Sequence, residues 1–300
     1  MTSFMNDLEL QLMQICRRNR DGSFATQSNR REMLSLFSRQ LKEMGYKVKQ
    51  LRVHDLKTRH VNALVKKWQL EAKSIGTIKN RMSVLRWLFE KIGKSEVIKK
   101  NTVYCIENRQ YVTNRNKSVS LKDIDLSKID PFIAQSLRLQ DCFGLRREES
   151  MKFNPFYALD GQSIENAKYI CLKSGWTKGG RARTIPIFSD KQRQELRNAL
   201  ALVQNGSLIP SQKNYKAHVA NFEATTHQLG IGRTHGLRHG YAQDRYFELI
   251  GFECPAIGGV RELTVEAKQK DMVVRLQISA ELGHSRINIT SIYLGSWSKK

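Results

Sequence analysis

The sequence predicts a mainly α-helical protein with a small antiparallel β-sheet, divided into two domains. Three observations carry that expectation. The 300 residues are enough for two ordinary cores. The first hundred residues hold no proline and repeat apolar positions at helical spacing, and the first proline is Pro131. In the second half, two short β-prone runs flank a glycine-rich turn. At 40% hydrophobic and 26% charged residues the composition is globular, which excludes a wholly disordered chain. No apolar run approaches the ~18 residues of a membrane span.

The elements follow in order. MTSFMNDLELQLMQICRRNR is amphipathic and lacks the basic n-region and cleavage site of a secretory signal. Met33, Phe37, Leu41 and Met44 recur at helical spacing, and Gly45 supplies a stop. Val61, Leu64, Val65 and Trp68 form the next run, with a cap expected near Asp55 or Thr58. A third run, Ile78, Met82, Leu85 and Ile92, ends at Gly93. Residues 109–119 are polar and aperiodic, and read as a linker between a domain at 1–108 and another at 120–300. Asp130–Phe143 reads as a helix with Pro131 in its first turn. KYICLK and RTIPIF read as a hairpin closed by SGWTKGGRA. Ser189 and Gln192 form a capping box for a helix to about Val203. Further helices are expected over Asn214–Leu229, from about Leu237, and over Asp271–Leu282.

Charge is the outlying number. Fifty-one Lys and Arg against 28 Asp and Glu give +23. Such an excess strains a compact fold unless a polyanion neutralises it. Nucleic acid is the first candidate partner and an anionic membrane surface the second; the bland alternative is a merely soluble basic protein. A membrane binder would need a long basic amphipathic helix with a bulky apolar face, which is missing, and no RNA-module motif is present. Two N-terminal helices carry basic faces, Arg59, Lys66 and Lys67 on one and Lys79, Arg81 and Arg86 on the other. These six residues are the expected DNA contacts. The five cysteines are scattered without CxxC or CxxH spacing, so no metal site is expected and free thiols are.

Four islands in the second half combine residues suited to phosphate chemistry: GLRREE, TKGGRARTIPI, HGLRH and LGHSRINITSIY. Arg146 and Arg238 offer planar forks for phosphate oxygens. Lys178 sits at the hairpin tip. His235 and His284 lie beside glycines at helix boundaries, and Tyr293 closes the series. Taken singly, each residue has a structural explanation at least as good.

In this order the islands resemble the tyrosine recombinase, or phage integrase, family. Gly144-Leu145-Arg146-Arg147-Glu148-Glu149 is similar to its first arginine box. Thr177-Lys178 through Arg183, Pro186 and Ile187 is similar to its hairpin lysine box. His235-Gly236-Leu237-Arg238-His239 resembles the second arginine box, and Leu282-Gly283-His284-Ser285 leads to Tyr293. TIKNRMSVLRWLFEKI looks like the family's core-binding helix.

The resemblance implies a two-domain DNA clamp: a helical, SAM-like core-binding domain and a tyrosine recombinase catalytic domain. It implies site-specific recombination without metal or cofactor. Tyr293 would attack the scissile phosphorus and form a 3′-phosphotyrosyl link, for integration or excision of a mobile element. Arg146 and Arg238 would clamp the phosphoryl charge with His284, Lys178 would protonate the 5′-oxygen, and His235 would assist the nucleophile's proton or hold the phosphate. Glu149 would brace the first box, and His239 reads as structural. A homotetramer on two synapsed duplexes is implied, in a cytoplasmic, nucleoid-associated setting without membrane contact, with DNA-bending or directionality factors as further partners. The alternatives are a type IB topoisomerase and a non-catalytic DNA-binding protein of the same fold. The stretch between Arg238 and His284 is longer than the family pattern and reads as a tolerated surface insertion or as an added loop or helix contacting DNA or a neighbouring protomer, and the segment after Tyr293 is short.

Overall fold

Capping serines and left-handed glycines set the limits of the N-terminal helices in the computed structural model, which describes residues 7–203, 206–259, 262–284 and 286–297. The chain divides into two units, Met1–Gln110 and Tyr111–Lys300. In the first, α1 spans Asp7–Arg18, α2 Phe24–Glu43, α3 Thr58–Leu70 and α4 Ile75–Lys91. Ser23 and Ser74 accept the backbone N–H groups of Thr26 and Thr77 at 3.2 and 3.1 Å. Gly45 and Gly93 follow α2 and α4 in the left-handed region, with φ of +86° and +68°. Leu34, Phe37, Leu64, Trp68, Met82 and Leu88 are among the residues that close the core. The Trp68 indole donates to Gln40 Oε1 at 2.9 Å.

The start of α3 lies where expected, with its cap next to Thr58. Thr58 is already helical, and Lys57 is the cap residue. The Asp55 carboxylate accepts the Arg52 N–H at 3.3 Å in a preceding 3₁₀ turn. His60 Nδ1 instead reaches back to accept the Lys57 N–H at 2.9 Å. An imidazole thus does what a capping-box carboxylate usually does.

The second unit contains α5 Pro131–Phe143, α6 Arg147–Met151, α7 Pro155–Ala158, β1 Tyr169–Leu172, β2 Arg183–Pro186, α8 Asp190–Leu202, α9 Tyr215–Gln228, α10 His235–Ile250, α11 Val265–Glu281 and α12 Ser291–Leu294. The strands pair antiparallel with Tyr169 opposite Pro186 and Leu172 opposite Arg183. Asp130 caps α5 ahead of Pro131, and Ser189 and Gln192 form the capping box of α8. Helix α10 packs against α5, α11 and α12.

Two differences matter for the site. Helix α11 begins six residues before the expected Asp271, capped by Thr264. Its buried positions begin only at Asp271, so its first turns carry no amphipathic signal. The stretch read as a surface insertion is partly core. Cys254 is 0% exposed, and a Cβ on Gly295 would lie 2.8 Å from the Ala256 nitrogen. Val260 and Arg261 of that stretch, and Ser285 of the last motif, lie outside the described residues. Among the described residues no helix is long and apolar enough to cross a membrane.

Candidate active site

Gly144 ends α5 at φ +60°. A Cβ there would sit 2.5 Å from the Tyr241 ring, so the approach of α10 requires glycine. Arg146 follows in extended conformation at the start of α6. The Glu149 carboxylate accepts its backbone N–H at 2.8 Å and its Nη1 at 2.7 Å. Arg183 of β2 donates both arms of its fork to the same carboxylate, at 3.0 and 2.7 Å. Arg238 Nη1 lies 3.9 Å from it. Burial by itself would raise the Glu149 carboxyl, but Arg183, then Arg238 and Arg146, outweigh it and hold it at about 2. Three guanidiniums around one carboxylate leave two positive charges in excess.

Helix α10 presents His235, Arg238 and His239 at positions i, i+3 and i+4, hence on one face. Gly236 has no room for a side chain: a Cβ would meet Val119 Cγ2 at 2.4 Å. Arg238 is 0% exposed. Its two Nη atoms donate to the carbonyls of Gly144 and Leu282, and its Nε has no partner among the described residues. Burial lowers its pKa to about 10, so it stays charged at neutral pH.

Tyr293 lies in α12, 5% exposed. Its hydroxyl is 3.3 Å from His235 Nε2. The His239 and His284 rings stand 4.6 and 5.6 Å from the Tyr293 ring, and the Arg238 guanidinium carbon 5.9 Å from it. Gln243 donates to the Tyr293 carbonyl at 3.2 Å. Asn114 pairs twice with the Ser296 backbone at 2.8 Å, which pins the chain just after the tyrosine.

His284 follows Gly283, whose φ is +66°. Its Nε2 is buried without a partner among the described residues, as is His239 Nδ1. Burial, then the nearby guanidiniums, pull His284 down to about 3. Burial, then His235, Lys117 and Arg238, pull His239 to about 4. For His235, an exposed residue whose ring is partly enclosed, burial followed by Arg238 and Arg146 also gives about 4. All three rings are therefore neutral at pH 7.

The structure brings Arg146, Glu149, His235, Arg238, His284 and Tyr293 together. Lys178 stays at the exposed hairpin tip, between Thr177 and the left-handed Gly179 and Gly180, with no hydrogen bond or ion pair among the described residues. Its charge nevertheless bears on His235. Sequence reasoning assigned no role to Arg183, Gln243, Tyr241 or Glu281. Arg183 alone carried a signal, its place in the hairpin motif. Among the described residues, no group of three or more His, Cys, Asp or Glu side chains is placed to hold a metal, and the cysteines are free.

The six basic candidates of the N-terminal unit divide into two kinds. Lys67 bridges Glu43 and Glu71 at 3.3 and 2.9 Å. Lys79 donates to Asn108 at 3.0 Å, Arg86 to Asn101 at 2.6 Å, and Arg81 lies over Trp68 at 5.2 Å. Arg59 and Lys66 are exposed without such partners among the described residues.

Two family models match the chain: "Phage integrase, N-terminal" over residues 5–98 and "Integrase" over residues 107–244. The chain belongs to the tyrosine recombinase, or phage integrase, family. This recombinase is an enzyme of DNA cleavage and rejoining. No curated relative matches its sequence. Solved structures show the same fold at low identity. A lambda integrase dimer bound to a COC′ core site aligns with TM-score 0.61 and 15% identity, over 98% of this chain and 79% of that one. The XerH site-specific recombinase bound to palindromic difH aligns with TM-score 0.58 and 16% identity, over 96% and 81%. The Tn1549 transposon integrase with circular intermediate DNA aligns with TM-score 0.55 and 13% identity, over 97% and 96%.

Proposed function

We propose that this integrase cuts duplex DNA with Tyr293 and serves integration or excision of a mobile element. The observation that carries the reading is the Tyr293 hydroxyl, 3.3 Å from His235 Nε2 within a net positive site. A phenol holds its proton at neutral pH, pKa ~10. Neutral His235 offers a lone pair to accept that proton as the oxygen attacks phosphorus. The new bond joins Tyr293 to the 3′-phosphate, and the bond to the 5′-oxygen breaks. Lys178, on its exposed tip, supplies the proton to that oxygen. The phosphoester bond energy is kept for rejoining by the reverse steps.

Negative charge grows on the phosphoryl oxygens during attack. Arg146 meets it with its partly exposed guanidinium. Arg238 meets it with a fixed interior charge and an unpartnered Nε, and His284 with an unpartnered Nε2. Glu149 keeps the guanidiniums in place. Of the six basic candidates, Arg59 and Lys66 are the freest to contact phosphate, and Lys67, Lys79, Arg81 and Arg86 are the others. A homotetramer on two duplexes, with accessory bending or directionality factors, is the assembly this chemistry serves, in a cytoplasmic, nucleoid-associated setting.

The test is covalent trapping in EDTA. Nicked duplexes tiling the DNA that flanks the gene release a short fragment on cleavage, which blocks rejoining. A denaturant-resistant protein–DNA band is expected with the native protein and not with Tyr293→Phe. A band that survives Tyr293→Phe rejects the nucleophile. Tight binding to every duplex without a band favours a non-catalytic DNA-binding protein, and relaxation of supercoils without a preferred site favours a topoisomerase.

A further inference from the structure

We propose that Arg183 is a positioning residue for strand cleavage: it holds Arg146 and His284 in their working places without touching DNA. The inference rests on the reading that Arg146 and His284 act on the scissile phosphate.

Arg183 is spent entirely on protein. Its side chain is 7% exposed. Both arms of its fork go to Glu149, at 3.0 and 2.7 Å, and its Nε donates to the Glu281 carbonyl at 2.9 Å. It thereby joins three chain segments that each carry a site residue. Glu149 leads to Arg146, which the same carboxylate takes through both backbone and side chain. The Glu281 carbonyl, at the last turn of α11, leads to Gly283 and His284. The third segment is β2 itself, which continues the hairpin that bears Lys178.

The carboxylate of Glu149 has about four lone-pair positions. Arg183 fills two and Arg146 the other two. If Arg183 withdraws, half of the positions fall vacant and Glu149 is free to rotate, with Arg146 attached. The end of α11 is arranged similarly. Carbonyls at a helix C-terminus lack helical partners. Here Glu281 receives Arg183, and Leu282 receives Arg146 at 3.4 Å and Arg238. Three guanidiniums therefore set the helix end from which His284 emerges.

Gly283 shows how closely Arg183 supports that turn. A Cβ at Gly283 would stand 2.9 Å from Arg183 Cδ. The arginine stem passes directly under the turn that delivers His284. Lysine could keep the charge at 183 but could not span both Glu149 oxygens and the Glu281 carbonyl with one ammonium. The requirement is for the fork, not for the charge alone.

The experiment measures single-turnover strand cleavage on a nicked duplex that the native protein cuts. The variants are Arg183→Lys, Glu149→Gln and the double variant. A displacement of about 1 Å in a positioned group costs on the order of 100-fold in rate, so Arg183→Lys should cleave about 10- to 100-fold slower while binding the duplex within about twofold of native affinity. If Arg183 acts through Glu149, adding Arg183→Lys to Glu149→Gln should slow cleavage by less than about threefold more. Losses that multiply in full overturn the proposal, as does native cleavage by Arg183→Lys. A second substrate carries a methylphosphonate at the scissile position, where a neutral group makes little demand on the Arg146 charge. The Arg183→Lys defect should shrink there to within about threefold. An equal defect on both substrates would assign Arg183 a purely structural role. Absence of cleavage by the native protein, or its survival in Tyr293→Phe, would instead reject the underlying reading of the site.

Discussion

The N-terminal unit closes around Trp68, Met82 and Leu88, whereas the C-terminal unit also encloses Glu149, Arg238, Arg245, Arg275 and Glu281. The first arrangement is an ordinary apolar core with a few polar groups such as Gln40 and His60. The second contains three buried carboxylate hubs among the described residues, one of them Asp271 with Arg275 and the Tyr246 hydroxyl. Glu149 gathers Arg146 and Arg183, and Glu281 gathers Arg245, Gln277 and the Tyr241 hydroxyl. Apolar cores tolerate substitutions that conserve volume. A buried ion pair does not tolerate loss of one partner, because the other charge is left unpaired. Among the described residues, the N-terminal unit buries one carboxylate, Glu9, whereas the C-terminal unit buries several charged side chains paired with one another.

The largest effect should come from Glu149→Gln. Removing the carboxylate leaves Arg146 and Arg183 without their shared partner, at a cost of about 3–5 kcal/mol to the C-terminal unit. Cleavage should fall with it by about 10²–10³, the usual consequence of losing an electrostatic donor's position. Chemical denaturation and the trapping assay read the two effects. If Glu149→Gln were neutral in both, the carboxylate hub would have no role in the unit, and the contrast would dissolve.

Leu88→Ala is the counterpart in the other unit. Leu88 is 1% exposed, and truncation of such a side chain costs about 2–5 kcal/mol through lost burial and the cavity left behind. Leu88→Met should cost less than about 1.5 kcal/mol. Neither should alter the cleavage rate of bound protein at a temperature where the unit is folded. A large loss from the methionine variant would show that the N-terminal core is as exacting as the charged one.

Helix periodicity made most of the fold legible, because apolar faces and capping residues lie close together in sequence. It failed where local pattern was weak. The first turns of α11 bury nothing, and although the cap of α3 falls beside Thr58 as expected, a histidine closes its box. The motifs named the residues that meet, Lys178 excepted, yet the reason they stay together was not readable. Arg183 meets Glu149 across 34 residues and Glu281 across 98. Tyr241 meets Glu281 across 40. Pairings of that reach depend on how helices pack, and a local motif does not encode them.

Acid should separate the two units next. The rings of His235, His239 and His284 have pKa values lowered from 6.5 to about 4, 4 and 3. The unfolded chain therefore binds more protons than the folded one below pH 6.5, and stability falls as pH drops from there toward those values. Glu149, held at about 2 against an ordinary 4.5, extends the loss further into acid. The N-terminal unit contributes His60, lowered by burial and then by Arg59. Titration of ring resonances should find the three site histidines changing well below 6.5. Values at or above 6.5 would mean that the rings are neither buried nor faced by the guanidiniums as the structure has them.

The smallest effect tests the division among the basic residues. Each phosphate contact that a lysine or arginine makes contributes about one unit to the slope of log affinity against log salt. Arg59 and Lys66 have no partner to give up among the described residues, so Arg59→Ala and Lys66→Ala should each lower that slope by about one. Lys67 is held between Glu43 and Glu71. Contacting a phosphate would require it to leave both carboxylates, and the gain would be offset by their loss. Lys67→Ala should therefore change the slope by much less than one unit. A full unit for Lys67 would mean that DNA pulls it from its ion pairs, and the exposed helix faces could then not be ranked by the partners they hold in the free protein.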